Sequence, residues 1–151
     1  MKHVILGAAA FAAIATAAYA QRPAAPIVQA RQANYKQMAA AVKGINDQLR
    51  GRVPDLAAIR PRAALLANYG VQVLRWFPRG SGPQAGVRTR ALPAIWTDQA
   101  GFERAGARLL VAARAVNRAA QRGDVTAIRA AMPALTRACS ACHDDYRAPE
   151  H

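Results

Sequence analysis

Histidine, cysteine and acidic residues are scarce: the 151-residue chain holds three, two and eight of them, against 21 Lys and Arg. That scarcity excludes several chemistries. There is no Ser-His-Asp set, no paired-carboxylate acid–base site and no phosphate-binding loop, so no catalytic residues are expected and the chain does not read as an enzyme. A zinc site needs a second pair of ligands, and beyond His143 the chain past its first twenty residues offers only the terminal His151. No stretch alternates as a strand does, no internal repeat is evident, and low complexity is confined to an alanine bias.

What is present is concentrated near the C-terminus. The only two cysteines stand in Cys139-Ser140-Ala141-Cys142-His143. Cys-x-x-Cys-His is the pattern that attaches a c-type haem. Two thiols one helical turn apart can each add to a vinyl group on one porphyrin edge, and the adjacent imidazole then falls under the iron as proximal ligand. A thioredoxin-like redox pair would need a βαβ setting, which is missing. One covalently attached haem c, on Cys139 and Cys142 with His143 on the metal, is the expected cofactor.

The first twenty residues read as a cleaved secretory signal: a basic start, an apolar run and Ala18-Tyr19-Ala20 as the cleavage site. The run is short and alanine-rich for a membrane span, and no other spanning segment follows. Residues 21–151 are then one exported domain. Export and the haem motif agree, because c-type haems are attached outside the cytoplasm, and the expected location is a bacterial periplasm. The net charge is +13 at pH 7, or +12 without Lys2. With no nucleic-acid motif in the chain, that charge points to acidic redox partner proteins or an anionic membrane surface rather than nucleic acid.

Four segments have helical period. The first, from about Ile27 to Arg50, carries Val28, Arg31, Tyr35, Met38, Val42, Ile45 and Leu49 on one stripe and stops at Gly51. The second, from about Pro54 to Phe77, carries Leu56, Ile59, Ala63, Leu66, Gly70, Val73 and Phe77, with Pro61 inside it as a kink or a delayed start. Residues 78–95 form a Gly/Pro-broken loop, read as a strap across a cofactor edge. The third, capped by Thr97 or Asp98, runs to about Arg122 with Phe102, Gly106, Leu109, Ala113, Val116 and Ala120 inward. Gly123 ends it and Asp124 caps the fourth. There Val125, Ile128, Met132, Leu135, Cys139, Cys142 and Tyr146 share one seam, and Pro133 is expected to bend the helix. Four such helices make an all-α antiparallel four-helix bundle with the haem near its C-terminal end. Its alanine-rich core is thin without the cofactor's apolar surface.

Arg31 is a charge on an apolar seam, either snorkelling to the edge or meeting a haem propionate. Arg88 and Arg90 in the loop are further propionate candidates. Tyr35 and Met38, one and two turns past Arg31, are candidates for the iron face opposite His143: Met38 as a thioether ligand, or Tyr35 as an occluding group while Met38 packs. Trp76 and Trp96 read as packing walls, and Arg147 as a shield over the proximal face.

With these residues placed, the chain resembles class II cytochromes c, the cytochrome c′ family, over nearly all of residues 27–149. The likeness rests on Cys139-x-x-Cys142-His143-Asp144-Asp145-Tyr146-Arg147, on Arg31-Gln32, and on Leu92-Pro93-Ala94-Ile95-Trp96. It implies that Arg31 and Gln32 lie by the propionates and that Tyr35 takes the distal blocking position. It also implies a bundle that is often a homodimer. High-spin members bind nitric oxide or carbon monoxide, and low-spin members carry electrons. Three readings follow: a five-coordinate, gas-binding cytochrome that also carries electrons; a low-spin His/Met carrier with Met38 as sixth ligand; or a haem-free thiol-redox or structural bundle.

Overall fold

The computed structural model describes residues 24–149, so the leader at 1–20 lies outside the described residues. Five helices follow in order: α1 (Ala24–Arg50), α2 (Leu56–Gln72), α3 (Ala94–Thr97), α4 (Gln99–Arg122) and α5 (Val125–Tyr146). Three aspartates start three of them. Asp55 accepts from the Ala57 amide at 2.8 Å, Asp98 from Gly101 at 3.0 Å and Asp124 from Ala127 at 2.8 Å. Each satisfies an amide that the first helical turn leaves without a partner. Gly123, at φ +74°, closes α4, and the next two amides bond back to Ala120 and Ala119. Only glycine takes that left-handed corner without strain, which lets α5 turn straight back.

The periodic seams become the core. Val28, Met38, Ile45 and Leu49 of α1 are buried, with Ile59, Ala63, Leu66 and Gly70 of α2. From α4 come Phe102, Leu109, Ala113, Val116 and Ala120, and from α5 Ile128, Met132 and Leu135. Helix α1 packs on α2, α2 on α4 and α4 on α5, whereas α1 and α5 come together only sparsely. The bundle is therefore splayed along one seam. A groove of about 550 Å³ runs there between Asn46 and Leu49 of α1 and Met132, Thr136 and Arg137 of α5.

Small residues set the closest approach. A Cβ on Gly70 would stand 3.2 Å from the Leu110 Cα, backbone that has nowhere to go. Gly70→Val is expected to push α2 off α4 at a cost of about 1–3 kcal/mol, read as a lower denaturant midpoint at unchanged slope.

Three segments differ from the sequence expectation. The second helix does not hold α geometry to Phe77: it tightens into a 3₁₀ turn at Val73–Trp76. Pro61 neither delays its start nor interrupts it, since α2 begins at Leu56 and runs past it. Pro61 is exposed, so the carbonyl it leaves without a donor can meet water. The 78–95 loop is not wholly irregular, because Pro83–Ala85 forms a 3₁₀ turn and α3 already begins at Ala94.

Candidate functional site

The last turns of α5 carry the two thiols on one face. Cys139 packs against the main core, whose edge also holds Met38, Ala138 and Tyr35. Cys142 packs against a second cluster of Ile95, Phe102, Ala105 and Tyr146. Both are free and only partly buried. Burial raises the Cys139 thiol, and burial together with the neighbouring Cys139 pushes Cys142 up to about 11. These are protonated, quiet thiols. A redox-active pair works through a lowered thiolate pKa, so the environment disfavours a thioredoxin-like role. His143 follows on the accessible side, with Arg147 Nη1 at 3.5 Å from Nδ1. Burial, then the charges of Arg147 and Arg90, lower its pKa. The imidazole is thus neutral at neutral pH, the form that ligates a metal.

Across the seam stands Tyr35 of α1. Burial and the two thiols push its hydroxyl far above the ordinary value, while Arg31 opposes them. Its ring meets Trp76 edge-on at 5.4 Å and Phe77 at 6.3 Å. Phe77 in turn meets Phe102 at 5.0 Å, and Phe102 meets Tyr146 at 5.2 Å. The result is one aromatic wall from α1 to the end of α5.

Arg31 is buried, at 3% exposure. It donates to the Ser81 hydroxyl and carbonyl at 3.2 and 3.1 Å, to Thr89 Oγ1 at 3.0 Å and to the Trp76 carbonyl at 3.3 Å. Its guanidinium carbon lies 4.4 Å from the Phe77 ring centre. Among the described residues its charge has no carboxylate partner, since both ion pairs there belong to Asp47. Gln32, exposed, donates to the Arg88 carbonyl at 3.0 Å. Arg90 donates through Nε to the Ala148 carbonyl at 2.7 Å. Arg88 is exposed, and Met38 is turned into the main core at 6% exposure.

The loop therefore closes on both ends of the site. Arg31 and Gln32 hold it to α1, and its far end pairs with the chain just after the haem motif. The Leu92 amide bonds the Tyr146 carbonyl at 3.0 Å and the Ala148 amide bonds the Arg90 carbonyl at 2.8 Å. Ser81 and Thr89 were not legible as site residues, because hydroxyls in an aperiodic loop carry no signal of which distant residue they meet; Phe77 was legible only as the last apolar position of the second helix.

A second tie is the Tyr146 hydroxyl, which donates to Asp98 Oδ2 at 2.7 Å. That bond and the Gly101 amide hold the Asp98 carboxyl below its usual value. The same carboxylate pushes Tyr146 up to about 12 from 10.0. The sign differs at the two ends of the pH scale. The Asp98 contribution is complete above its ordinary 3.8 and is lost as pH falls through the lower folded value. The Tyr146 contribution is complete below 10 and is lost as pH rises towards 12. Melting temperature against pH is expected to fall at both limits, and Tyr146→Phe is expected to flatten both.

This donor set fits a covalent haem. Cys139 and Cys142 would hold its vinyl edge and His143 its iron. The buried, carboxylate-free charge of Arg31 suits an anionic edge group, and the sparse α1–α5 contact marks where the bundle is already parted. Such a group supplies a metal centre for one-electron exchange and ligand binding.

The class this fold and donor set define is the c-type cytochrome built on a four-helix bundle. The family model "Cytochrome C'" matches residues 26–147, and the chain belongs to the cytochrome c′ family. It is 34% identical over 123 residues to a cytochrome c′ of Rhodopseudomonas palustris, covering 81% of this chain and 82% of that one. Cytochrome c′ from Thermochromatium tepidum superposes with a TM-score of 0.77 at 27% identity, over 85% of this chain and 98% of the other. A ferrous variant of the Alcaligenes xylosoxidans protein with bound nitric oxide gives 0.73 at 26% identity, over 82% and 94%. Another variant of that protein has been solved with carbon monoxide. The chain accordingly carries one covalent haem c in an all-α bundle. No described helix is long and apolar enough to cross a membrane.

Proposed function

We propose that this protein is an exported, periplasmic monohaem cytochrome with His143 as its only protein ligand to iron. Its open face, beside Tyr35, takes nitric oxide or carbon monoxide, and the same centre exchanges electrons without catalysing a reaction of its own. The observation that carries this reading is the division of labour on α1. Met38 is packed into the core, while Tyr35 is only partly buried and lies, like Cys139, at the margin of that core. A tyrosine held so firmly in its neutral form is a poor ligand and a good plug. The relatives solved with nitric oxide and carbon monoxide support the gas-binding part. Export rests on the leader at 1–20, and a homodimer belongs to the same reading, tested by sedimentation of the haem-loaded protein.

The deciding test is the absorption spectrum of the loaded protein, ferric and ferrous, before and after carbon monoxide. A broad high-spin ferrous band that shifts with the gas is the expected result. A sharp low-spin band that the gas leaves unmoved would overturn it in favour of Met38 as sixth ligand. Met38→Ala would then convert a six-coordinate spectrum into a five-coordinate one.

A further inference from the structure

The basic charge of the chain is not spread evenly. Arg104, Arg108, Arg114, Arg118 and Arg122 all lie on α4 and all are exposed. At 100° per residue, the five and Val111 between them fall within about a third of the helix circumference, along roughly 27 Å of its length. Val111 is 68% exposed. None of the five arginines makes a hydrogen bond or ion pair among the described residues. Glu103 is the only acid on the helix and accepts from Gln99, while Asp98 and Asp124 at its two ends are committed as caps. Like charges four residues apart cost stability, and only Arg104, whose charge is felt at the Asp98 carboxylate, has an acid in reach. The opposite face of α4 is wholly committed to the core, so these arginines point only outward.

The ends of this face are not equivalent. The N-terminal end of α4 is level with the haem motif, since on the inner side of the helix Phe102 packs on Tyr146 at 5.2 Å and a Cβ on Gly101 would run into the Tyr146 hydroxyl. A body docked over the N-terminal half of α4 therefore sits at the end of the bundle that carries the haem-bearing turn of α5.

We propose that the outer face of α4 is the docking surface for an acidic one-electron carrier protein, guided by Arg104, Arg108, Arg114, Arg118 and Arg122 to the haem-bearing end of the bundle. In the encounter the partner is oxidised by one electron as ferric iron becomes ferrous, with no proton or group transferred. An anionic lipid surface fits less well. The apolar residues among the arginines are Ala107, Val111 and Ala115, and none offers the large apolar or aromatic anchor that interfacial helices sink into lipid. Arginine rather than lysine suits paired carboxylates on a protein, which its planar fork can grip at two points. This inference rests on the electron-exchange part of the proposed function.

The test uses the haem-loaded protein and reduced flavodoxin, an acidic one-electron donor, as the probe. Binding is measured by titration calorimetry and reduction by stopped flow, at low and at physiological ionic strength. Two charge-matched triple variants are compared: R108Q/R114Q/R118Q on the outer face of α4, and K36Q/K43Q/R52Q at exposed positions on and after α1. The α4 variant is expected to bind and to react about tenfold more weakly at low salt, with the difference shrinking as salt rises, while the control stays within about twofold of wild type. Equal losses in both variants would assign the effect to net charge and overturn the proposal. So would an α4 variant that keeps flavodoxin binding but loses binding to phosphatidylglycerol vesicles, which would make the face a membrane contact. Dithionite reduction and the carbon monoxide spectrum of the same samples separate the two ideas: if those fail, the haem reading fails, while the calorimetric comparison still decides the surface.

Discussion

Cys139→Ala together with Cys142→Ala is expected to yield an exported chain that keeps no haem through acid-acetone extraction and melts far below the parent. Two effects add. The thioethers are the covalent attachment, so His143 alone would hold the group by one coordinate bond in fast exchange. The larger effect is on the fold. Among the described residues, eight of the twenty-three buried core positions are alanine, which removes little apolar surface from water. Helices α1 and α5 already come together only sparsely along their shared seam. Without the haem the chain must close that seam with side chains too small to reach across, or admit water beside Tyr35. Circular dichroism and denaturant titration of the double variant read the loss. A cofactor-free variant as stable as the parent would mean that the haem is held by the bundle rather than being part of its core. Cys139→Ala alone is expected to retain haem by one thioether, with the shifted ferrous band of a porphyrin that keeps one vinyl group.

The second large effect is at Arg31. Arg31→Met keeps the length and apolar stem of the side chain and removes every donor. The Ser81 and Trp76 carbonyls then lose the donor that Arg31 supplies, while the Ser81 hydroxyl keeps the Pro78 carbonyl and Thr89 Oγ1 keeps the Ala91 amide. Buried acceptors left unmatched cost about 1–3 kcal/mol each, discounted here because the loop can peel away and meet water. The expected outcome is a stability loss of about 2–4 kcal/mol and a loop that trypsin cuts at Arg79, Arg88 or Arg90 under conditions where the parent resists. Covalent haem is retained, which separates this defect from loss of attachment. A protected loop in the variant would show that the Gln32 and Leu92 contacts suffice to hold it.

These two sites also show where the sequence could be read and where it could not. Ile59, Leu66, Leu109, Val116, Ile128 and Leu135 are each spaced as one face of a helix demands, and each is buried. Local spacing likewise brings Cys139 and Cys142 together on α5, because one helical turn does it. Arg31 stood out as a charge on an apolar seam, and its burial is real. What it touches was not readable, since Ser81 and Thr89 lie 50 and 58 positions away in a segment with no period. The same holds for Asp98 and Tyr146, whose bond spans all of α4 and most of α5. Asp98 was legible as a helix cap, but a carboxylate's second oxygen does not announce its partner. The end of α2 failed for a different reason: Val73 and Phe77 keep an apolar stripe in either helix type, so hydrophobic spacing cannot tell a tight last turn from an ordinary one.

The clip between residues 90–92 and 146–148 has a consequence for the order in which the chain comes apart. It is built from two backbone hydrogen bonds, which together make the one bridge between Ala91 and Arg147 and join the segments that bracket α3, α4 and α5. Such bonds form only after that long stretch has folded back on itself, and they bring little apolar burial of their own. They are therefore the first to be given up. In hydrogen–deuterium exchange the Leu92 and Ala148 amides would be released through brief local opening, long before those in the middle of α4. The chain end beside His143 is thus expected to exchange on a timescale of its own while the middle of the bundle stays protected.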